Sequence, residues 1–391
     1  MLSVEEAIAA VLEGAAPLGA DPAGLSQLLG RILAEDVNAR MTQPPFAASA
    51  MDGYAVRFED AAAGAELRVI GEAPAGAPFA GKLGKGEAVR IFTGGAVPDG
   101  ADHVVIQEDV ARDGDRITVN DAQDAPRNIR PAGIDFKEGD VLATAGTRLH
   151  ELHGAIFAAS NIAEASVYRR PRVAVFSNGD ELKEPGADLK PGQIVNSNHY
   201  ALSAMIHAWG GEAVYLGCAP DDEASIRGFF RRGSDCDVIV PIGGASVGDY
   251  DFVKSAFAIE GGEIVFSKVA VRPGKPTWCG RLGSARVIGL PGNPASAIVT
   301  AALFLQPLVR RLAGETWAVP FAKARVTEIL APNGGREAYL RAVAKDGAVS
   351  TAPNQDSSLL LPFAAANALI RRPANAPAVE AGGEVEFVWL R

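Results

Sequence analysis

The chain has 391 residues, more than the roughly 250–300 at which a single hydrophobic core stops growing, so we expect several domains. Apolar residues make up 48% and charged residues 21%, as in ordinary folded proteins, and the net charge of −10 argues against a duplex nucleic-acid partner. Three widely spaced cysteines match no zinc motif, and the N-terminus carries acids where a secretory signal has bases, so we expect a cytoplasmic protein with reduced thiols.

The first 170 residues predict helices on both sides of a β-rich stretch. Residues 3–14 have helical spacing, and Ser3 and Glu6 are placed for a capping box. A second helix is predicted over 25–33, and an alanine-rich helical pattern returns over 150–164. Between them, short β-type runs alternate with Gly, Pro and Asp turns. The β-rich stretch therefore reads as an insertion in a helical layer.

From residue 171 the pattern becomes strand, loop and helix. Apolar strands are predicted at 172–176, 212–217, 237–242, 263–269 and 286–290. Such strands alternating with helices indicate a doubly wound parallel sheet. The longest apolar run, 295–309, is interrupted by Gln306 and Pro307 and is too short to predict a membrane span, so no membrane contact is expected.

After about residue 316 β-type runs return, at 323–329, 337–344, 368–372 and 384–389, and predict a β-barrel-like domain. The expected fold class is α/β multidomain, with a doubly wound domain, a composite helical domain, a β-rich insertion and the terminal β domain. The predicted bounds are 1–40 with 141–170 for the composite helical domain, 41–140 for the insertion, 171–315 for the α/β domain and 316–391 for the β domain.

Polar clusters follow four of the predicted strands, at 177–181, 219–222, 243–251 and 290–294. Ligands of open α/β sheets bind outside the carboxyl ends of the strands, so these loops are expected to line one crevice. Gly243 and Gly244 let backbone N–H groups approach a ligand, and Ser246 adds a hydroxyl, although Gly-Gly-x-Ser alone favours a tight turn. A helix beginning at Asn293-Pro294 offers unpaired N–H groups to an oxyanion.

Charged residues near these loops suggest an anion and a cation site. Lys268, Arg272 and Lys275 surround a Pro-Gly turn and suit a phosphate or another oxyanion, although a solvated basic turn explains any one of them. The carboxylates predicted to face the crevice are those of Glu181, Asp221 and Asp251. Beside an anionic ligand they favour a bridging Mg²⁺, and helix capping is the alternative, above all for Asp221.

The insertion contains a second set of unusual turns. Asp52 follows Met51 and precedes Gly53, Thr93 opens a Thr-Gly-Gly turn, and Arg130 and Asp135 flank another glycine turn. Composition alone supports a structural turn as well as a site at these positions.

Together these segments resemble the motifs of the molybdopterin molybdenumtransferase family, which includes MoeA and the gephyrin E domain. Seven motifs occur in the family's order: Ser49-Ala-Met-Asp-Gly-Tyr-Ala55, Phe92-Thr-Gly94, Asn128-Ile-Arg130, Ser177-Asn-Gly-Asp-Glu-Leu182, 243–251, Arg272-Pro-Gly-Lys-Pro276 and Leu290-Pro-Gly-Asn-Pro294. The resemblance covers nearly the whole chain. Two departures stand out, namely Arg272 where the family usually has lysine and Asn178 where serine or threonine is common.

The resemblance implies an enzyme of molybdenum cofactor biosynthesis, which inserts molybdate into adenylylated molybdopterin and releases AMP with Mg²⁺ as cofactor. It also implies an elongated homodimer whose active site lies between the α/β domain of one chain and the insertion of the other, and a transient contact with the adenylyltransferase that supplies the substrate. The implied catalytic residues are Asp52, Thr93, Asp135, Asp221 and Asp251, and the implied metal ligands are Glu181, Asp221 and Asp251. The implied substrate-binding residues are Arg130, Glu181, Gly243, Gly244, Ser246, Lys268, Arg272, Lys275, Pro291, Pro294 and Ser357.

Two alternatives fit part of the chain. The adenylyltransferase of the preceding step shares the α/β domain, but it normally lacks the Met51-Asp-Gly-Tyr54 module and the terminal β domain. A scaffold protein with the same fold is the other, as in the receptor-binding use of the gephyrin E domain, and intact acidic and basic motifs argue against a purely structural role.

Overall fold

The computed structural model describes residues 1–244, 252–316 and 319–390. Its α-helices are α1 Val4–Leu12, α2 His153–Ala159, α3 Asn198–Ala208, α4 Glu223–Arg232, α5 Phe252–Ile259 and α6 Pro294–Leu312. The strands before residue 170 are β1 Ala20–Gly24, β2 Val37–Asn38, β3 Ala48–Ser49, β4 Gly53–Val56, β5 Glu66–Ala73, β6 Glu87–Ile91, β7 His103–Ile106, β8 Val110–Asp113, β9 Arg116–Val119, β10 Ile129–Arg130, β11 Val141–Ala143 and β12 Glu164–Tyr168.

The middle of the chain contains β13 Arg172–Asn178, β14 Leu182–Lys183, β15 Ile194–Val195, β16 Glu212–Ala219, β17 Val238–Ile242, β18 Glu263–Phe266, β19 Val271–Arg272, β20 Trp278–Leu282 and β21 Ala285–Gly289. The last part contains β22 Phe321–Val326, β23 Glu337–Lys345, β24 Ala348–Thr351, β25 Ala368–Arg372 and β26 Glu384–Trp389. The α/β multidomain class expected from the sequence is confirmed, and the domain bounds stay predictions.

The N-terminal helix forms as its sequence predicts. Ser3 Oγ accepts from the Glu6 N–H over 3.1 Å, and Glu6 Oε2 accepts from the Ser3 N–H over 2.8 Å, which closes the capping box. The buried face of α1, with Val4 and Val11, packs into the same cluster as Leu308 of α6. The first helix therefore belongs to the core around the central sheet, and it packs little on the strands β1 and β2 that come next in the chain.

The helix predicted over 25–33 is wrong. Only a 3₁₀ turn, Leu25–Gln27, forms there. Gly30 then takes a φ of +73°, and Ile32 and Leu33 make isolated bridges to Arg148 and Val167. Pairing with distant chain thus overrides local helical propensity. The predicted helix over 150–164 is also shorter than expected, because the chain turns into β12 and pairs with β1.

The β-rich stretch folds into a six-stranded sheet in the order β7-β4-β6-β5-β9-β8, and β3 pairs with β10 beside it. Buried apolar side chains cover both faces of this sheet, with Val56 and Ile117 in one cluster and Ala55 and Ile91 in the other. Neighbouring residues of one strand, such as Ala55 and Val56, belong to different clusters, as expected when both faces of a sheet are covered.

The central sheet has the order β16-β13-β17-β21-β20-β18. The strands β16, β13, β17 and β21 are parallel to one another. Strand β20 pairs antiparallel with β21 on one side and with the edge strand β18 on the other. The sequence did not predict β20, because a short segment of mixed polarity such as Trp278–Leu282 has no continuous apolar run. Gly283, with a φ of +57°, makes the turn that returns β20 into β21.

Helix α6 lies under the central sheet. It is long and apolar enough to cross a membrane by length and composition, but 78% of its most apolar window is buried inside the structure. The helix continues through Gln306 and Pro307, the two residues that interrupt its apolar run. A π-helical turn, Ala301–Leu305, comes just before Pro307, which cannot donate a backbone hydrogen bond. The helix is thus a core element of the fold.

The last part of the chain closes into a five-stranded barrel. Strands β23, β24, β22, β26 and β25 follow one another, and a further pairing of β25 with β23 completes the ring. Strand β24 was not predicted. The short strand β19 pairs in parallel with β23, with Arg272 opposite Ala338. This pairing attaches the loop that connects β18 and β20 of the central sheet to the barrel.

Candidate functional site

A crevice of about 550 Å³ opens beyond the carboxyl ends of β13, β17 and β21. Three of the four predicted loops line it, through Asn178 and Glu181, through Gly243 and Gly244, and through Pro291 and Pro294. A segment that the sequence did not single out, 194–198, closes one side. The expected meeting of polar loops at one edge of the sheet is therefore what the structure contains.

The fourth loop reaches this crevice indirectly, through Asp221. Its Oδ1 accepts from the Asn178 side-chain amide over 2.7 Å, and its Oδ2 accepts from the Asp180 N–H over 3.2 Å. The predicted capping of α4 by Asp221 is wrong, because the cap is Asp222, whose Oδ1 accepts from the Ser225 N–H over 2.8 Å. Asp221 instead braces the loop that holds Glu181.

Two glycines let the third loop pass close to Asn178. Gly243 has a φ of +95°, and a Cβ there would lie 2.8 Å from the carbonyl oxygen of Asn178. Gly244 has a φ of +64°, and a Cβ there would meet both Val253 and the side-chain oxygen of Asn178. The Gly-Gly pair is thus required by close packing in a left-handed conformation.

A buried hydrogen-bonded chain supports the floor of the crevice. Ser177 Oγ donates to Asn196 Oδ1 over 2.9 Å, and the Asn196 amide donates to the Tyr215 hydroxyl over 2.8 Å. Burial, and then Glu184, raise the pKa of Tyr215 to about 12, so the phenol stays protonated. The ring of His199 stacks on Tyr215 with centroids 3.8 Å apart, and burial lowers the pKa of this histidine. The Tyr215 hydroxyl donates in turn to Glu184 Oε1 over 3.3 Å, so the chain ends on a carboxylate.

A second cavity, of about 490 Å³, lies next to the crevice and is lined by cations. Arg272 and Lys275 line it as predicted, and Arg336 and Arg341 of the barrel side join them. Pro276 lines both cavities, so they share a wall. The predicted cation Lys268 is exposed and is absent from the residues that line either cavity in the described part of the chain.

The turn that bears Arg272 and Lys275 is built on buried threonines. Thr277 Oγ1 donates to the Gly274 carbonyl over 2.8 Å, and both groups are buried. Gly274 has a φ of +108°, and a Cβ there would meet the buried Thr300 of α6. This turn therefore fits tightly against the central helix, and the two cations project from a fixed base.

The start of α6 differs from the prediction. Pro294 has no N–H, and the Ala295 N–H donates to the Ser357 carbonyl over 3.0 Å. The Asn293 amide donates to Ser357 Oγ, also over 3.0 Å. The expected free N–H groups are thus partly occupied by a loop of the barrel. Ser357 lines the cation-lined cavity, and its neighbour Ser358 lines the crevice.

The predicted residues of the insertion form a separate group. Asp52 Oδ1 accepts from the Thr93 N–H over 2.7 Å and from the Thr93 hydroxyl over 2.9 Å. These two bonds, the backbone one first, lower the pKa of Asp52. Arg130 lies on β10, and Asp135 borders a different, largely apolar cavity beside Phe136. Within the described chain, none of these four residues lines the crevice or the cation-lined cavity.

The predicted metal ligands are only partly within view. Glu181 lines the crevice, and Asp221 braces its loop, whereas Asp251 lies outside the described residues, as does Ser246, which was predicted to bind the substrate. In 1–244, 252–316 and 319–390 no group of three His, Cys, Asp or Glu side chains is placed to hold a metal. Burial raises the pKa of the nearby Cys218 to about 11.

Sequence reasoning missed Arg336, Arg341 and the 194–198 segment. Arg341 alternates with Leu340 and Ala342, which face the barrel core, so its side chain lies on the outer face of β23, and only the loop that covers this face buries it. Arg336 comes directly before that strand, and its proximity to Arg272 depends on the parallel pairing of β19 with β23. Neither relationship has a local signal in the sequence.

Three family models match the chain. The MoeA N-terminal region (domain I and II) matches residues 2–160, a probable molybdopterin-binding domain matches 174–311, and the MoeA C-terminal region (domain IV) matches 323–390. Together they cover the insertion, the strand-end crevice and the barrel.

Curated relatives and a solved structure agree with these models. The chain is 39% identical over 322 residues to a molybdopterin molybdenumtransferase of Nostoc, covering 80% of this chain and 74% of the relative. It is 35% identical over 381 residues to molybdopterin molybdenumtransferase 2 of Mycobacterium tuberculosis, covering 93% of each. A crystal structure of the molybdopterin biosynthesis MoeA protein from Pyrococcus horikoshii superposes with a TM-score of 0.86 at 33% identity, covering 100% of this chain and 99% of that one.

Proposed function

The chain belongs to the molybdopterin molybdenumtransferase (MoeA) family, whose work is molybdenum cofactor biosynthesis, and we propose that it inserts molybdate into adenylylated molybdopterin with release of AMP. The observation that carries the proposal is the adjacency of two different cavities. One is a hydrogen-bonding crevice at the strand ends that contains the carboxylate of Glu181, and the other is lined by cations and shares Pro276 with it.

The two cavities suit two substrates of different chemistry. The pterin nucleotide is rich in hydrogen-bond donors and acceptors, which suits the polar lining of the crevice, where Asn198 Oδ1 has no hydrogen-bond partner among the described residues. Molybdate is a compact dianion, which suits Arg272, Lys275 and Arg336. Binding both substrates across a shared wall places molybdenum beside the dithiolene. Water then attacks the phosphoanhydride bond, so that AMP leaves and the pterin keeps its phosphate. The two dithiolene sulfurs replace oxygen ligands of molybdate, which take up the thiol protons and leave as water. The chain therefore contributes mainly positioning and charge neutralisation.

We also propose that Mg²⁺ is the cofactor and that Glu181, Asp221 and Asp251 hold it. The described part of the set fits this ion, because Glu181 at the crevice and Asp221 beside it offer carboxylate oxygens. Bound there, the ion would offset the repulsion between these carboxylates and the substrate phosphates.

The remaining proposals concern assembly. Asp52 and Thr93 face each other in the insertion but line neither cavity of their own chain. A symmetric homodimer could bring this pair to the crevice of the partner, in two equivalent composite sites. Asp135 and Arg130 would act from the same insertion. A transient contact with the adenylyltransferase would deliver the substrate, and the cytoplasm is the proposed location.

The test is direct turnover. Purified protein is incubated with adenylylated molybdopterin, molybdate and Mg²⁺, and AMP and active cofactor are measured. The proposal expects both products, and omission of molybdate should remove the active cofactor. A folded protein that leaves the adenylylated substrate intact under all these conditions would refute the proposed function.

A further inference from the structure

We propose that Arg341 is a positioning residue that fixes the loop 354–359, the common wall of the two cavities, and thereby sets the affinity for the oxyanion. The inference rests on the proposed function for its kinetic consequence, and on geometry alone for the placement of the loop. Arg341 is 2% exposed, although it is a charged residue in the middle of a barrel strand.

The guanidinium of Arg341 is already committed to the protein backbone. Nη1 donates to the Leu359 carbonyl over 2.8 Å, and Nη2 donates to the carbonyls of Asp356 over 2.9 Å and Asn354 over 3.3 Å. Nε donates to Gln355 Oε1 over 3.3 Å. Four of the five N–H groups of an arginine are thus used inside one short loop. Arg341 therefore cannot serve as a bidentate ligand of an anion while it holds this loop.

Gln355 adds hydrogen bonds from the loop to the backbone of Arg341, and we call this whole set of bonds between Arg341 and the loop 354–359 the clamp. Its Oε1 also accepts from the Arg341 backbone N–H over 2.9 Å, and its Nε2 donates to the Arg341 carbonyl over 2.9 Å. The planar fork of arginine satisfies several carbonyls at fixed angles, which a lysine ammonium on a single flexible stem cannot reproduce. The ring of Phe363 covers the guanidinium, with Cζ 5.4 Å from the ring centroid.

What the clamp presents is a pair of serines. Ser357 lines the cation-lined cavity, and its hydroxyl and carbonyl accept from Asn293 and Ala295 at the start of α6. Ser358 lines the crevice and donates its N–H and hydroxyl to Asp356 Oδ1, over 2.8 and 2.6 Å. Arg341 thus acts on both cavities through the backbone, without touching a substrate in the crevice.

The experiment compares Arg341→Lys with a matched variant, Arg372→Lys. Arg372 is also a buried arginine of the barrel, 4% exposed, and its side chain donates to the carbonyls of Ala331 and Pro377. Among the described residues it is absent from those that line either cavity. Gln355→Ala breaks the same clamp without touching the arginine, and so tests the inference if Arg341→Lys fails to fold.

The first readout is hydrogen exchange of the amides in 354–359, which needs no substrate. The inference expects faster exchange there in Arg341→Lys and Gln355→Ala and unchanged exchange in Arg372→Lys. Unchanged exchange in both clamp variants overturns it, whether or not the protein is active. An inactive wild type would count against the proposed function only, because the exchange measurement still decides the role of Arg341.

The second readout is the molybdate concentration that supports half-maximal AMP release. We expect it to rise about tenfold or more in Arg341→Lys, with kcat much less changed, as for loss of one hydrogen bond to a charged group. Arg372→Lys should stay within about twofold of wild type. The double variant Arg341→Lys with Ser357→Ala should raise the half-maximal molybdate concentration by less than the product of the two single increases, because both substitutions act on one ligand position. Strict multiplication of the effects, or an equal rise in Arg372→Lys, contradicts a positioning role.

Discussion

The side-chain amide of Asn178 donates to Asp221 Oδ1 over 2.7 Å and so joins the ends of two neighbouring parallel strands, β13 and β16. Asp221 and Asp222 are adjacent but have different partners. Substituting each in turn therefore distinguishes the effect of losing a site residue from the effect of losing a helix cap.

We expect Asp221→Ala to lower the rate of AMP release by about 10²-fold, since it removes the brace of the Glu181 loop and a carboxylate of the proposed metal site. Asp222→Ala should instead lower the free energy of unfolding by about 1 kcal/mol, through loss of the cap on α4, and spare the rate. Rates and urea unfolding of both variants check this. Equal rate losses in the two would contradict the assignment.

Gly244→Ala should destabilise the protein and abolish activity. The new Cβ would meet Val253 and Asn178, and the φ of +64° is unfavourable for alanine, so we expect a loss of about 2 kcal/mol or more. Gly261→Ala is the control, because its φ is +87° but nothing lies within 4 Å of the new Cβ. That variant should show only the backbone strain, about 1 kcal/mol, and normal turnover, as measured by thermal unfolding and AMP release. A fully active Gly244→Ala would mean that the loop need not approach Asn178.

At Arg272, substitution by alanine should raise the molybdate requirement by about tenfold, because the cation-lined cavity loses one charge. Arg272→Lys should be nearly neutral if charge alone matters, and impaired if bidentate geometry matters. The exposed Lys345 of the barrel provides the comparison, and Lys345→Ala should leave the requirement unchanged. Unaltered molybdate dependence in Arg272→Ala would remove Arg272 from the anion ligands.

Thr93→Val should shift the acid limb of the pH–rate profile. Thr93 lowers the pKa of Asp52 in the folded protein, so the carboxylate stays ionised to lower pH than usual and is lost only as pH falls through that lowered pKa. Without the hydroxyl, the pKa of Asp52 rises, and activity that needs the carboxylate should decline at a higher pH than in wild type. Thr93→Ser keeps the donor and should keep the wild-type profile, and identical acid limbs in all three proteins would exclude an ionised Asp52 from turnover.

Sharing of sites across a dimer can be tested by complementation. Asp52→Asn and Asp251→Asn are each expected to be inactive alone. Random pairing makes half of the dimers mixed, and each mixed dimer then has one intact composite site, so activity should recover to roughly a quarter of wild type. Mixed dimers purified through two affinity tags should contain all the recovered activity. If such dimers are inactive, each site lies within one chain.

The sequence was most informative where chemistry and local pattern coincide. The continuous apolar strands 172–176 and 237–242 predicted β13 and β17, and the polar residues at their ends predicted a crevice. Periodicity failed where distant pairing decides the structure, as at 25–33, where bridges to Arg148 and Val167 replace the expected helix. It also assigned the cap of α4 to Asp221, since two adjacent aspartates are equivalent cap candidates until the backbone is placed.

The burial of Arg341 had no sequence signal. The segment Glu337-Ala-Tyr-Leu-Arg341 reads as a strand, but the pattern does not indicate that the loop 354–359 covers Arg341 and accepts its hydrogen bonds through backbone carbonyls. Similarly, Arg336 and Arg272 are 64 positions apart in the chain and meet because β19 pairs with β23. Contacts of this kind depend on closure of the barrel, which no local window contains.

The serine pair at 357 and 358 stands with one residue in each cavity. Ligands in the two cavities should therefore not bind independently. A ligand in one cavity that orders the loop 354–359 reduces the entropy that is lost when a ligand binds in the other cavity, so each ligand should bind more tightly when the other is present. Such coupling is reciprocal at equilibrium, and the oxyanion should tighten nucleotide binding by the same factor by which the nucleotide tightens oxyanion binding. Ordering of the loop 354–359 would then favour complexes that contain both substrates over complexes that contain one.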